Sequence, residues 1–114
     1  MTTTHRDILA QAMTERELQK NVISLARMLG WKTYHTFDSR RSDVGFPDIV
    51  AIHPEHYWTF VAELKREGKM PTEDQHRWLS YFHGAGIRAF VWHPIDWLDG
   101  TIERILRGDP WVND

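Results

Sequence analysis

Asp48, Glu63 and Lys65 are two carboxylates and an amine, each at the end of an apolar run. Asp48 follows the tight turn Gly45-Phe46-Pro47 and opens Ile49-Val50-Ala51-Ile52; Glu63 and Lys65 lie two apart in the run from Tyr57 to Lys65. Strand side chains alternate between faces, so Glu63 and Lys65 share one. Burying charge is expensive, and a core strand gains no stability from an acid and an amine at its end. Such groups are tolerated where they hold a metal ion and serve chemistry. If adjacent strands bring the carboxylates of Asp48 and Glu63 together, these hard oxygen ligands suit Mg2+ or Mn2+, ions that keep several waters and take further ligands from a phosphate. The Leu64 carbonyl can add a ligand. Lys65 can orient or deprotonate an attacking water, or neutralise charge developing on the phosphate. The chemistry these groups permit is metal-assisted hydrolysis of a phosphodiester by in-line attack of water.

A third carboxylate is expected from a helix that Thr14 caps, with Glu15 and Glu17 in its first turn. Leu18, Val22, Leu25 and Leu29 recur at helical spacing, and Gly30 supplies the stop. At roughly 100° per residue, Glu15 lies about 60° from Leu18 and Glu17 about 100° away on the other side. Glu15 is therefore better placed to reach inward. That both merely complement the helix dipole stays open.

The elements that must position these groups follow from periodicity. Residues 1–13 carry weak helical character and are expected to be an arm or a frayed turn. Trp31 to Phe37 alternates and is rich in β-formers; Asp38 to Pro47 is a polar loop; Asp48–Ile52 and Tyr57–Lys65 are strands joined by His53-Pro54-Glu55-His56. Arg66 to Pro71 is a loop, Thr72 caps a second helix with Gln75 at the N3 position of a capping box, and Gly84 and Gly86 end it. Ile87–Trp92 is a fourth strand, and Pro94 opens a final helix through Leu106 that Gly100 weakens. The fold class is α/β, a mixed β-sheet flanked by helices in the order αβββαβα. The domain is expected over 14–107, with 1–13 as an arm and 108–114 as a tail.

With 114 residues the chain suits one domain and one core. The absence of cysteine excludes disulfides and thiolate metal sites and suits a reducing cytoplasm. No apolar run approaches the roughly 20 residues of a membrane span, and the N-terminus lacks the apolar core of a signal peptide. A soluble, cytoplasmic protein with no membrane partner is expected. The net charge of -2 weighs against purely electrostatic binding of nucleic acid. The positive charge is nevertheless concentrated in the middle of the chain, and bound divalent cations would offset clustered carboxylates. The seven histidines form neither H-x-H nor H-E-x-x-H, so a zinc site is not expected.

Taken together, Thr14-Glu15 with Gln19, Gly45-Phe46-Pro47-Asp48, Glu63-Leu64-Lys65 and Thr72-Glu73-Asp74-Gln75 resemble the VRR-NUC family of the PD-(D/E)XK nuclease superfamily, from about Thr14 to Leu106. The resemblance implies a restriction-endonuclease-like core, dependence on Mg2+ or Mn2+, and cleavage of DNA. It matches Asp48 to the family's aspartate, Glu63 and Lys65 to its E-x-K, and Gln75 to a glutamine on the following helix. Stand-alone members of this size are associated with phage and bacterial genomes, and some act as dimers on branched DNA. That would place the chain in a bacterial cytoplasm or a phage-infected host.

The expected site therefore comprises Asp48, Glu63, Lys65, Gln75 and Glu15, with Asp48, Glu63, Glu15 and the Leu64 carbonyl as metal ligands. Ser39, Arg40, Arg41 and Lys69 are candidates for gripping DNA phosphates. Each has a plainer reading: Asp48 as a turn residue, Glu63 and Lys65 as a solvated ion pair, Gln75 as a helix cap, and 39–42 as a solvated loop. His35 either faces the site or simply packs, and Trp111 is a candidate for docking a partner chain. One site makes one nick at a time, so paired cleavage of a duplex or junction needs two protomers and a homodimer is expected. The rivals are a catalytically silent nucleic-acid-binding module of the same fold and a phosphatase or small-molecule hydrolase. The complete set of acids and lysine argues against the first. The lack of a lid or a nucleotide-cradling glycine loop argues against the second.

Overall fold

Four strands of β-branched and aromatic residues form one sheet in spatial order β1-β2-β3-β4 in the computed structural model, which describes residues 2–37 and 41–112. They are β1 (Lys32–His35), β2 (Ile49–His53), β3 (Trp58–Leu64) and β4 (Arg88–Trp92). β2 pairs antiparallel with both β1 and β3. β4 lies parallel to β3 after a crossover through a helix, so the sheet is mixed as expected. The register Ile49↔Ala62 brings the preceding residue, Asp48, level with Glu63.

The helices are α1 (His5–Ala12), α2 (Glu15–Met28), α3 (Glu73–Gly84), α4 (Pro94–Leu98), α5 (Thr101–Leu106) and α6 (Asp109–Val112). α2 buries the stripe Leu18, Val22, Ile23 and Ala26 against Ile49, Ala51, Phe60, Ala62 and Leu64 of the sheet. Ile102 and Leu106 of α5 join that core. The opposite face of β3 carries Val61 and Glu63, and α3 covers it. Every residue of β3 from Phe60 to Leu64 is buried, which makes the charged Glu63 costly unless it is used.

Three local outcomes depart from the sequence expectations. Residues 5–12 form a helix rather than an arm or frayed turn. Thr4 and Asp7 close a capping box, and Ala10 is buried where the helix packs on α4. The final helix breaks in two at Gly100, whose φ of 84° no helix accommodates. Residues 109–112 form a short helix that returns Trp111 to the core. Its ring stacks on Trp58 at 5.5 Å and lies 5.5 Å from Trp31. Arg88 bonds the Pro110 carbonyl at 2.8 Å. Trp111 thus acts as an internal clamp. Trp111→Ala should lower the melting temperature by several degrees through loss of this packing, about 2 kcal/mol or more, and a thermal melt reads it directly.

Candidate active site

The turn before β2 is built so that Asp48 meets the start of α3. Gly45 has φ 85°, and a Cβ there would fall 2.5 Å from the carbonyl carbon of Asp74 and 2.7 Å from the Gln75 nitrogen. Only glycine permits this approach. Phe46 plants its ring against Trp78 and Phe82 of α3, at 5.1 and 5.9 Å. Pro47 is fully buried, and its carbonyl accepts from the Thr36 hydroxyl at 3.2 Å. Gly45→Ala should therefore destabilise the fold by more than about 1 kcal/mol and displace Asp48, which chemical denaturation would show.

Asp48 is half-buried, and its Oδ2 accepts from the Leu64 backbone N–H at 2.8 Å. That bond aims the carboxylate at the end of β3. Glu63 beside it is only 2% exposed. Its Oε1 accepts from the Gln75 side-chain amide at 3.1 Å, whereas Oε2 is buried and meets no hydrogen-bond donor among the described residues. Burial, as the largest of several causes, holds the Glu63 carboxyl well above the usual carboxylate range, at about 9 in all. Hydrogen bonding to Asp48 and the charge of Asp48 contribute to that rise, Lys65 opposes it, and Glu15 adds a small push upward. Two carboxylates this close share a proton unless a cation replaces it.

Gln75 does two jobs at once. Its Oε1 accepts from the Thr72 backbone N–H at 2.8 Å, completing the capping box, while its Nε2 holds Glu63. Capping and site positioning are thus one side chain's work, not alternatives. Glu17, by contrast, closes the Thr14 capping box of α2, accepting from the Thr14 backbone N–H and hydroxyl. Glu15 is left exposed and lines an open cleft of about 520 Å3 together with Asp48 and Leu64. Arg16, Gln19, His35, Thr36 and Phe37 complete its walls. Lys65, half-buried just past β3, bonds the Trp92 carbonyl through its backbone N–H at 3.0 Å and acts electrostatically on Glu63.

The structure therefore brings together Asp48, Glu63, Leu64, Lys65, Gln75 and Glu15. It does not bring Arg41 or Lys69 to the cleft wall: both are exposed, and the Lys69 carbonyl is taken by His93 at 2.7 Å. Ser39 and Arg40 lie outside the described residues. Sequence reasoning missed Arg16, although Glu15, Arg16 and Gln19 fall at helical spacing on one side of α2. It underrated His35, whose Nδ1 accepts from the Gln19 amide at 3.4 Å and whose ring meets Phe37 at 4.1 Å. As a donor set, a buried oxygen that meets no N–H or O–H among the described residues, a neighbouring carboxylate and an exposed third acid fit a hard divalent cation.

Residues 4–94 match the family model of the VRR-NUC domain. The chain belongs to the VRR-NUC family. Its coarse class is accordingly that of a nuclease domain, with a restriction-endonuclease-like fold. Two solved structures share this fold with it: a VRR-NUC domain with a TM-score of 0.65 and 28% identity, covering 81% of this chain and 97% of that one, and a VRR-NUC domain protein with a TM-score of 0.61 and 20% identity, covering 82% and 90%. A Fanconi-associated nuclease 1 homolog of Caenorhabditis briggsae is 41% identical over 54 residues, which are 47% of this chain and 6% of that protein's length. Within this VRR-NUC domain, the motif residues and the cleft fall at the same end of the sheet. No helix among the described residues is long and apolar enough to cross a membrane.

Proposed function

We propose that this VRR-NUC domain is a divalent-metal-dependent DNA endonuclease. The observation that carries the reading is the pairing of buried Glu63 with half-buried Asp48 beside the cleft, with Glu63 Oε2 offered no hydrogen-bond donor among the described residues. Asp48, Glu63 and the Leu64 carbonyl would hold Mg2+ or Mn2+, with Glu15 assisting. Such an ion, when bound, would supply positive charge near the phosphate and make a water more acidic. The chain's own residues do the rest. Gln75 fixes the rotamer of Glu63, and the Leu64 N–H fixes that of Asp48. Lys65 keeps Glu63 toward its ionised form and orients or deprotonates the attacking water. Arg16 and His35 on the cleft walls contact flanking phosphates, and Phe37, 83% exposed, offers a face on which a base can stack.

Branched DNA is the proposed preference, with two protomers each contributing one cut. The open cleft suits a polymer rather than a small phosphate ester, and this separates the reading from a phosphatase. The test is cleavage of labelled four-way junction, flap, linear duplex, single-stranded DNA and RNA with Mg2+, Mn2+ or chelator. Metal-dependent DNA products support the reading, and junction products in paired cuts support the preference. Intact DNA throughout, with the protein folded, would leave a binding module.

Gln75 is a positioning residue in this scheme. Gln75→Glu keeps an oxygen for the Thr72 N–H but loses the N–H that Glu63 accepts. Cleavage should fall about 10- to 100-fold, with a higher metal concentration needed for half-maximal rate. A metal titration of cleavage measures both.

A further inference from the structure

A second group of potential ligands lies at the far end of β2 from Asp48, five residues along the strand and roughly 16 Å away at about 3.3 Å per residue. His53, Glu55 and His56 come from one turn, and their candidate donor atoms lie within 4.8 Å of one another. We propose that this turn is a second metal site, binding a zinc-class ion independently of the cleft.

The His53 ring is already arranged as a ligand. Its Nε2–H donates to the Leu29 carbonyl at 3.0 Å, leaving the Nδ1 lone pair facing the turn. Nδ1 meets only a long contact from the Glu55 backbone N–H, at 3.4 Å. Metal-binding histidines almost always donate their other N–H to a carbonyl or carboxylate in this way, which fixes tautomer and ring orientation. The ring is 6% exposed. Trp31 meets it edge-on at 5.3 Å, and Trp58 lies 5.5 Å away. A Cβ at Gly30 would fall 2.9 Å from Nε2, so glycine there makes room for the ring.

The other two donors are exposed and adjustable. His56 stacks on Trp58 at 4.1 Å and 17°, with its ring 4.8 Å from that of His53. Tyr57 holds the left-handed region at φ 58° and bonds the His53 carbonyl through its N–H at 2.7 Å, turning His56 back toward His53. Donors around a tetrahedral ion with bonds of about 2.0–2.1 Å stand about 3.3 Å apart. Rotation of the exposed Glu55 and His56 side chains closes the difference. Two imidazoles and one carboxylate, with water in the fourth position, suit Zn2+ better than a hard ion such as Mg2+. Bound there, the ion would pin the β2–β3 turn to the end of α2 through Leu29.

The test is calorimetric titration of chelator-stripped protein with Zn2+ near pH 7.5, using wild type, Asp48→Asn, His56→Ala and Asp48→Asn/His56→Ala, each checked for folding by circular dichroism. His56 is exposed, so its replacement leaves the core intact. Asp48→Asn silences the cleft and should retain one Zn2+ per chain with a Kd tighter than about 100 μM. Adding His56→Ala should weaken that binding at least about 10-fold, equivalent to about 1.4 kcal/mol. His56→Ala alone should leave Mg2+-supported DNA cleavage unchanged. Zn2+ binding that survives in the double variant, or none in Asp48→Asn up to about 1 mM, would overturn the proposal, and neither result bears on the cleft.

Discussion

Glu63→Gln should make the metal-free protein more stable near pH 8 while abolishing cleavage. Folded Glu63 holds its proton up to about pH 9, against 4.5 for the free group, chiefly because burial disfavours the charged form. Between those values the folded state binds more protons than the unfolded chain, so stability falls as pH rises. The slope is at most about 1.4 kcal/mol per pH unit. Below about 4.5 the contribution is fully present, and it is lost as pH climbs through 9. Glutamine has no proton to lose and still accepts from Gln75, so its stability should be flat across the same window. Urea melts in chelator at pH 5, 6.5 and 8 read the effect. Adding Mg2+ or Mn2+ should restore wild type more at pH 8 than at pH 5, since the ion takes the proton's place, and should leave Glu63→Gln nearly unchanged. Equal slopes for the two proteins would show that Glu63 is not the buried acid described.

Lys65→Ala should lower cleavage by about 10²- to 10⁴-fold, the range over which a positioned proton-transfer group or charge acts. Two losses combine: the amine that handles the attacking water, and the positive charge that lowers the Glu63 pKa. Excess metal repairs only the second, so rates measured across a metal titration should plateau far below wild type. The fold should survive, because the strand-like bond from Lys65 to Trp92 is made by the backbone N–H. Full recovery at high metal would confine Lys65 to an electrostatic role.

The strands were readable because alternation and the Gly45-Phe46-Pro47 turn are local signals, and an antiparallel pair turns them into a register that sets Asp48 level with Glu63. The preference for Glu15 over Glu17 rested on local geometry alone; the capping bonds that occupy Glu17 are a second, separate observation. Gln75 was harder. Its cap is a complete explanation from sequence, and only the close packing at Gly45 reveals that its amide also reaches Glu63. The helices at 5–12 and 109–112 were not legible because short helices draw their stability from tertiary packing, here on α4 and Trp58, rather than from periodicity. The His53–Glu55–His56 group matched no spacing rule because a left-handed residue at Tyr57 shapes the turn.

The most direct test of the central claim is a side-by-side assay of wild type and Asp48→Asn on labelled duplex and four-way junction, with Mg2+, Mn2+ or chelator. Asparagine preserves size and an acceptor for the Leu64 N–H but removes the charge opposite Glu63. Wild type should cut only with metal, and Asp48→Asn should be at least about 10³-fold slower while melting normally. Equal cleavage by the two proteins, or cleavage by wild type in chelator, would contradict a metal-dependent nuclease built on this carboxylate pair.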